Sequence, residues 1–158
     1  MRREIFQKQK LIPAQLRTVA DRRFGDAVAL RNTGKNERAN GEIYLAGYVL
    51  ECMLKAMLLT KHPRLQFVSD PEKLSKADRR RWTLSRATHD LLAIVEELPD
   101  LRRRIQNLPP GEAMRFNASL DAICTSWTVH SRYSTHQETM TEAADFLARV
   151  TELRAWLR

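Results

Sequence analysis

The sequence predicts an all-α protein, and three observations lead there. Glycine is scarce, with five in 158 residues. No series of alternating, β-branched runs bounded by turn residues is present, so nothing in the pattern points to a sheet. Apolar residues instead recur every three or four positions over several long segments. The expected architecture is an up-and-down helical bundle of four long helices plus one or two short ones, forming a single domain over residues 1–158.

Pro13 suits a first helical turn, where a missing N–H leaves nothing unpaired. Leu16, Val19, Ala20, Ala27 and Leu30 carry this helix to Asn32, and Gly34 ends it. Asn36 or Asn40 is placed to cap a second helix, which His62-Pro63 stops. That second helix is apolar around almost its whole circumference, apart from one stripe of Tyr44, Tyr48, Glu51 and Lys55 at about 100° per residue. Such a helix belongs in the middle of a bundle, its polar stripe facing a cleft or a partner. Glu51 and Lys55 stand in the favourable order for an i to i+4 ion pair. They also argue against a membrane span, because each would cost about 2.5 to 3.5 kcal/mol at the centre of one.

Residues 64–86 are polar, basic and poorly periodic, which predicts a loop with one short helix around Pro71 to Arg80. Leu91, Leu92, Ile94, Val95 and Leu98 then make a helix started by Thr88 or Asp90 and broken at Pro99. Asp100 is placed to cap a short continuation through Leu101, Ile105 and Leu108. Pro109-Pro110-Gly111 is a firm break, after which Ala113, Phe116, Leu120, Ile123, Cys124 and Trp127 trace another amphipathic helix. A polar stretch without hydrophobic period follows. The last helix runs through Met140, Ala143, Ala144, Leu147, Val150, Leu153 and Leu157, with capping boxes available at Thr135 to Glu138 or Thr139 to Glu142.

Charge narrows the partners. The formal net charge is +8, with basic residues clustered at Arg2-Arg3, Arg22-Arg23, Arg79-Arg80-Arg81 and Arg102-Arg103-Arg104. That balance favours a polyanion over a membrane surface. Arg79, Arg80 and Arg81 with Trp82 form the candidate nucleic-acid-binding set, Trp82 offering a face on which a base can stack. The two cysteines, Cys52 and Cys124, fall in apolar helical patterns and suit a reducing cytoplasm. The first ten residues hold charges without an apolar run behind them, unlike a secretory signal.

Several kinds of site are excluded by spacing. The chain has no Gly-rich phosphate loop, no paired Cys-x-x-Cys, no His-Glu-x-x-His and no Gly-x-Ser-x-Gly, so neither a cofactor nor a metal is expected. Arg132, Tyr133 and His136 lie just before or at the start of the final helix, where unpaired N–H groups and the positive dipole end favour phosphate. On RNA such a pair needs no metal: His136 moves a proton at the ribose hydroxyl or the leaving oxygen, while Arg132 offsets charge on the phosphorus centre. Glu51 either pairs only with Lys55 or also orients Arg132, with Lys55 structural.

Three stretches together resemble the HEPN family of small helical domains found in prokaryotic toxin-antitoxin and defence systems. Tyr44-Leu45-Ala46-Gly47-Tyr48 with Glu51, Leu54 and Lys55 is similar to that family's central-helix signature. Thr88-His89-Asp90-Leu91 looks like the start of its following helix, and Trp127 with Arg132-Tyr133 resembles the segment opening its last long helix. The likeness covers residues 40–158. It implies a helical bundle that dimerises, and in active members an Arg followed after four to six residues by His, cleaving RNA without metal from a composite site at the dimer interface. Arg132 maps onto the motif arginine, and His136 follows one residue earlier than that window allows.

Two readings therefore stand open. One is a metal-independent endoribonuclease of a toxin-antitoxin or defence system, with Arg132 and His136 catalytic and Glu51 and Tyr133 supporting. The other is a non-catalytic module that binds a nucleotide, a nucleic acid or a protein such as an antitoxin or a companion nucleotidyltransferase.

Overall fold

Pro13 does begin the first helix, and the chain from there is helical almost throughout. The computed structural model describes residues 12–128 and 134–158. Among the described residues there are seven α-helices and no strand, so the protein is all-α. The helices are α1 (Pro13–Arg31), α2 (Ala39–Lys61), α3 (Lys76–Arg86), α4 (Leu91–Glu96), α5 (Pro99–Gln106), α6 (Pro110–Ser126) and α7 (Met140–Leu157).

The second helix organises the rest. It packs along α1 and against α7, and its other side meets α3 and α4. Leu50, Leu54, Leu58 and Leu59 on it are fully buried, together with Ile94, Leu101, Ile105, Ile123 and Val150 from other helices. This encirclement explains why its apolar residues run all the way round. Residues 36–61 are long and apolar enough to cross a membrane by composition, yet 67% of their most apolar 18-residue window is buried inside the protein. Cys52 is a core residue and Cys124 is half-buried against the core, with burial raising both thiols to about 12.

Local stop signals act largely as expected. Gly34 takes a left-handed φ of 65° after α1. The Asp90 side chain accepts from the Ala93 N–H at 3.0 Å and caps α4. Of the two possible capping boxes, the second forms: Thr139 Oγ1 accepts from the Glu142 N–H at 3.2 Å, and Glu142 Oε2 accepts from the Thr139 N–H at 2.8 Å.

Three expectations need correction. Neither Asn36 nor Asn40 caps α2, because a 3-10 turn over Asn36–Arg38 leads into it and both side chains are engaged elsewhere. Asp100 does not cap α5; Leu98 holds that position, Pro99 opens the helix, and Asp100 accepts from Lys61 Nζ at 2.7 Å. Residues 64–86 do hold a helix, but it lies further along than Pro71 to Arg80 and runs to Arg86. Two 3-10 turns lead to Ser75, whose Oγ accepts from the Asp78 N–H at 3.2 Å and starts the eleven-residue α3. Polar residues dominate that helix because ion pairs with its neighbours satisfy its faces.

Candidate functional site around the central helix

The described parts of the stretches that carry the family resemblance meet on one side of α2. At Gly47 a Cβ would lie 2.2 Å from the Trp127 indole, so only glycine leaves room for that ring. Trp127 ends α6, is 2% exposed, and donates its indole N–H to the Tyr44 carbonyl at 3.2 Å. The Tyr44 ring stacks between those of Trp127 and Tyr48, with centroids 6.3 and 6.4 Å away. Burial raises the Tyr48 phenol and the neighbouring Glu51 charge adds to that, so the phenol stays protonated.

One turn further along α2, Glu51 is bonded on both oxygens. Oε1 accepts from Lys55 Nζ at 2.7 Å, and Oε2 lies 2.9 Å from His89 Nδ1. Glu51 and Lys55 are buried, whereas the His89 side chain is 44% exposed. A buried carboxylate is tolerated when it is paired and hydrogen-bonded, and here the ammonium supplies the charge and the imidazole the second bond. His89, Thr88, Asp90 and Trp127 line a cleft of about 380 Å³.

A second cleft, of about 500 Å³, opens at the start of α2 and shares Thr128 with the first. Asn40, Ser126, Ser134, Glu138, Glu142 and Phe146 surround it. Two asparagines hold the segment that carries part of its lining. Asn40 donates to the His136 carbonyl at 2.7 Å and accepts from the Glu138 N–H at 2.9 Å. Asn36 Oδ1 accepts from the Met140 N–H at 3.0 Å, and the Asn36 carbonyl accepts from the Gln137 amide at 2.5 Å. The chain ahead of α7 is thus laid along the beginning of α2.

Arg132 and Tyr133 lie outside the described residues, and so does any contact between Arg132 and Glu51. His136 is exposed in a non-helical segment, its N–H donating to Ser134 Oγ at 3.2 Å and its Nε2 3.6 Å from Glu138 Oε1. The final helix begins only at Met140. Positions 134–139 therefore do not present i and i+4 side chains on one helical face, because the asparagines take the backbone groups that a helix would use.

The Arg79, Arg80, Arg81 and Trp82 set is not a free cationic platform. Arg79 pairs with Glu72 at 3.0 Å, Arg80 with Glu96 at 3.1 Å, and Arg81 with Glu97 at 2.8 Å and Asp78 at 3.2 Å. The Arg81 guanidinium is held above its usual range, chiefly by its hydrogen bond to Glu97. Asp78 is held low, first by its hydrogen bond to Arg64. Trp82 donates to the Val68 carbonyl at 3.3 Å, and the Arg86 guanidinium lies 5.2 Å from its ring centre.

His89 is the functional candidate that sequence reasoning missed. The sequence marked it only as part of a helix start, and its partnership with Glu51, 38 residues away, is a tertiary contact. Among the described residues, no three His, Cys, Asp or Glu side chains are grouped so as to hold a metal ion. Comparison with family models, with curated proteins and with solved structures returned no match for this chain.

Proposed function

We propose that this chain is a HEPN-like protein acting on RNA, a metal-independent endoribonuclease of a toxin-antitoxin or defence system that works as a dimer. One observation carries the reading: the segments with the family's sequence pattern interlock, Gly47 with Trp127 and Glu51 with His89. Segments that resemble a family by accident have no reason to need one another for packing. The up-and-down bundle is the form in which α1, α2, α6 and α7 would then be arranged. Arg132 binds the phosphate and His136, whose ring is open to solvent, moves a proton.

The test is purified protein with a fluorescent single-stranded RNA of mixed sequence in EDTA. Cutting that leaves cyclic phosphate ends, and that Arg132→Ala or His136→Ala abolishes in folded protein, supports the reading. Undiminished cutting in both variants sinks the assignment of those two residues, and intact RNA with the unaltered protein sinks the nuclease.

The second reading, a non-catalytic binding module, is favoured by the non-helical setting of His136, whose ring has no side-chain partner closer than Glu138 at 3.6 Å among the described residues. In that case RNA stays whole while its affinity falls steeply with added salt, as phosphate contacts require. An affinity indifferent to salt would instead direct attention to a protein partner such as an antitoxin or a nucleotidyltransferase.

A further inference from the structure

One titratable side chain outside the Arg132 and His136 pair is arranged as proton-transfer groups are. His89 sits between α3 and α4 with Nδ1 2.9 Å from the buried Glu51 carboxylate. An ionised carboxylate only accepts hydrogen bonds, so the bond places a proton on Nδ1 and leaves Nε2 with its lone pair in the neutral ring. Lys55 matches the Glu51 charge from the other oxygen. No described side chain or backbone group bonds Nε2, and the ring forms part of the wall of a cleft of about 380 Å³. Ligand clefts commonly begin near that size. A mere tie between α2 and α4 has no need of an open ring; a packed, buried one would serve better.

We propose that His89 is a catalytic residue of the RNA-cleaving site, acting as the general base on a ribose 2′-hydroxyl. This rests on the ribonuclease reading given above. Nε2 accepts the 2′-hydroxyl proton as the O2′ to phosphorus bond forms and the bond from phosphorus to O5′ breaks. The departing 5′ oxygen takes its proton from His136, and water then carries the proton held by His89 back to His136, so both rings end as they began. The products are a 2′,3′-cyclic phosphate and a 5′-hydroxyl, with no net consumption of water and no redox partner. Glu51 is the positioning residue that fixes the tautomer.

His89→Asn tests this, because the shorter amide keeps an N–H for Glu51 and lacks Nε2. With the same fluorescent RNA in EDTA, cutting should fall by about 100- to 10,000-fold, the usual weight of a general base, while RNA affinity and thermal unfolding stay put. If His89→Asn lowers thermal stability, His89→Gly decides instead: added imidazole should restore part of the cutting, and folded protein that imidazole does not rescue overturns the proposal. Wild-type cutting by His89→Asn also overturns it and leaves the ribonuclease reading standing. RNA left whole by the unaltered protein overturns both.

Discussion

The Trp127 indole occupies the space that a side chain at Gly47 would need, the two approaching to 2.2 Å once a Cβ is placed on the glycine. Any larger residue there must push out a ring that is 2% exposed and bonded to the Tyr44 carbonyl. Gly47→Ala should therefore lower stability by about 1 to 3 kcal/mol, the usual cost of overpacking, as read by urea unfolding. In a Trp127→Ala background the same change should cost far less, because the obstructing ring is gone. Equal costs in both backgrounds would refute the steric account.

Lys55 and Glu51 should couple strongly. Removing one member of a buried pair leaves an uncompensated charge and costs about 3 to 5 kcal/mol, whereas replacing both by apolar groups of similar size costs much less. Lys55→Met alone is expected to be the more harmful protein, and Glu51→Leu with Lys55→Met the milder. Chemical denaturation of the four proteins in the cycle measures the coupling directly.

Glu42 points the other way. Its side chain is fully buried, and among the described residues neither oxygen has a hydrogen-bond partner and the nearest cation is Arg31 at 3.7 Å. Burial raises its carboxyl above the ordinary range, with Arg31 opposing. A raised carboxyl in the folded state means that the folded protein holds the proton longer than the unfolded chain does. Its stabilising contribution is present below the unfolded range and lost as pH rises through the folded value. Glu42→Met should accordingly stabilise the protein at pH 7 by about 1 to 3 kcal/mol, the cost of an unsatisfied buried group. That gain should shrink as pH falls toward the ordinary glutamate range, and thermal unfolding followed over pH would reveal a constant gain if the account were wrong.

Asn40 should matter more for order than for total stability. Its bond to the His136 carbonyl is exposed and its bond to the Glu138 N–H half-buried, so Asn40→Ala is expected to cost about 1 to 2 kcal/mol. The sharper readout is hydrogen exchange: the Glu138 amide should lose protection while amides inside α6 keep theirs. Unchanged exchange at Glu138 would show that the segment is held by something else.

Much of the fold was readable because its signals are local. The Asp90 cap, the Thr139 and Glu142 box, Pro13 in a first turn and Gly34 after α1 each act within a few residues of themselves. The Glu51 and Lys55 pair was legible for the same reason, since i and i+4 are neighbours on any helix. Asn36 and Asn40 misled because they are good caps by type, and the groups that captured them lie about a hundred positions further along the chain. The helix within residues 64–86 read as ending at Arg80 because α3 carries few core residues, Leu84 being the main one, and its arginines find acids on other elements. The contact between His89 and Glu51 was not legible, because 38 residues separate the two.

The second helix can also be regarded as a ruler. Asn40, the Tyr44 and Gly47 pair, and Glu51 mark off roughly 16 Å of axis at 1.5 Å per residue, and each mark fixes a different part of the molecule: the approach to α7, the end of α6, the turn before α4. Inserting one residue between Gly47 and Glu51 would rotate everything beyond it by about 100°. The tryptophan would keep its seat while His89 lost its carboxylate. The relative placement of the two clefts is thus set in large part by a residue count within one helix.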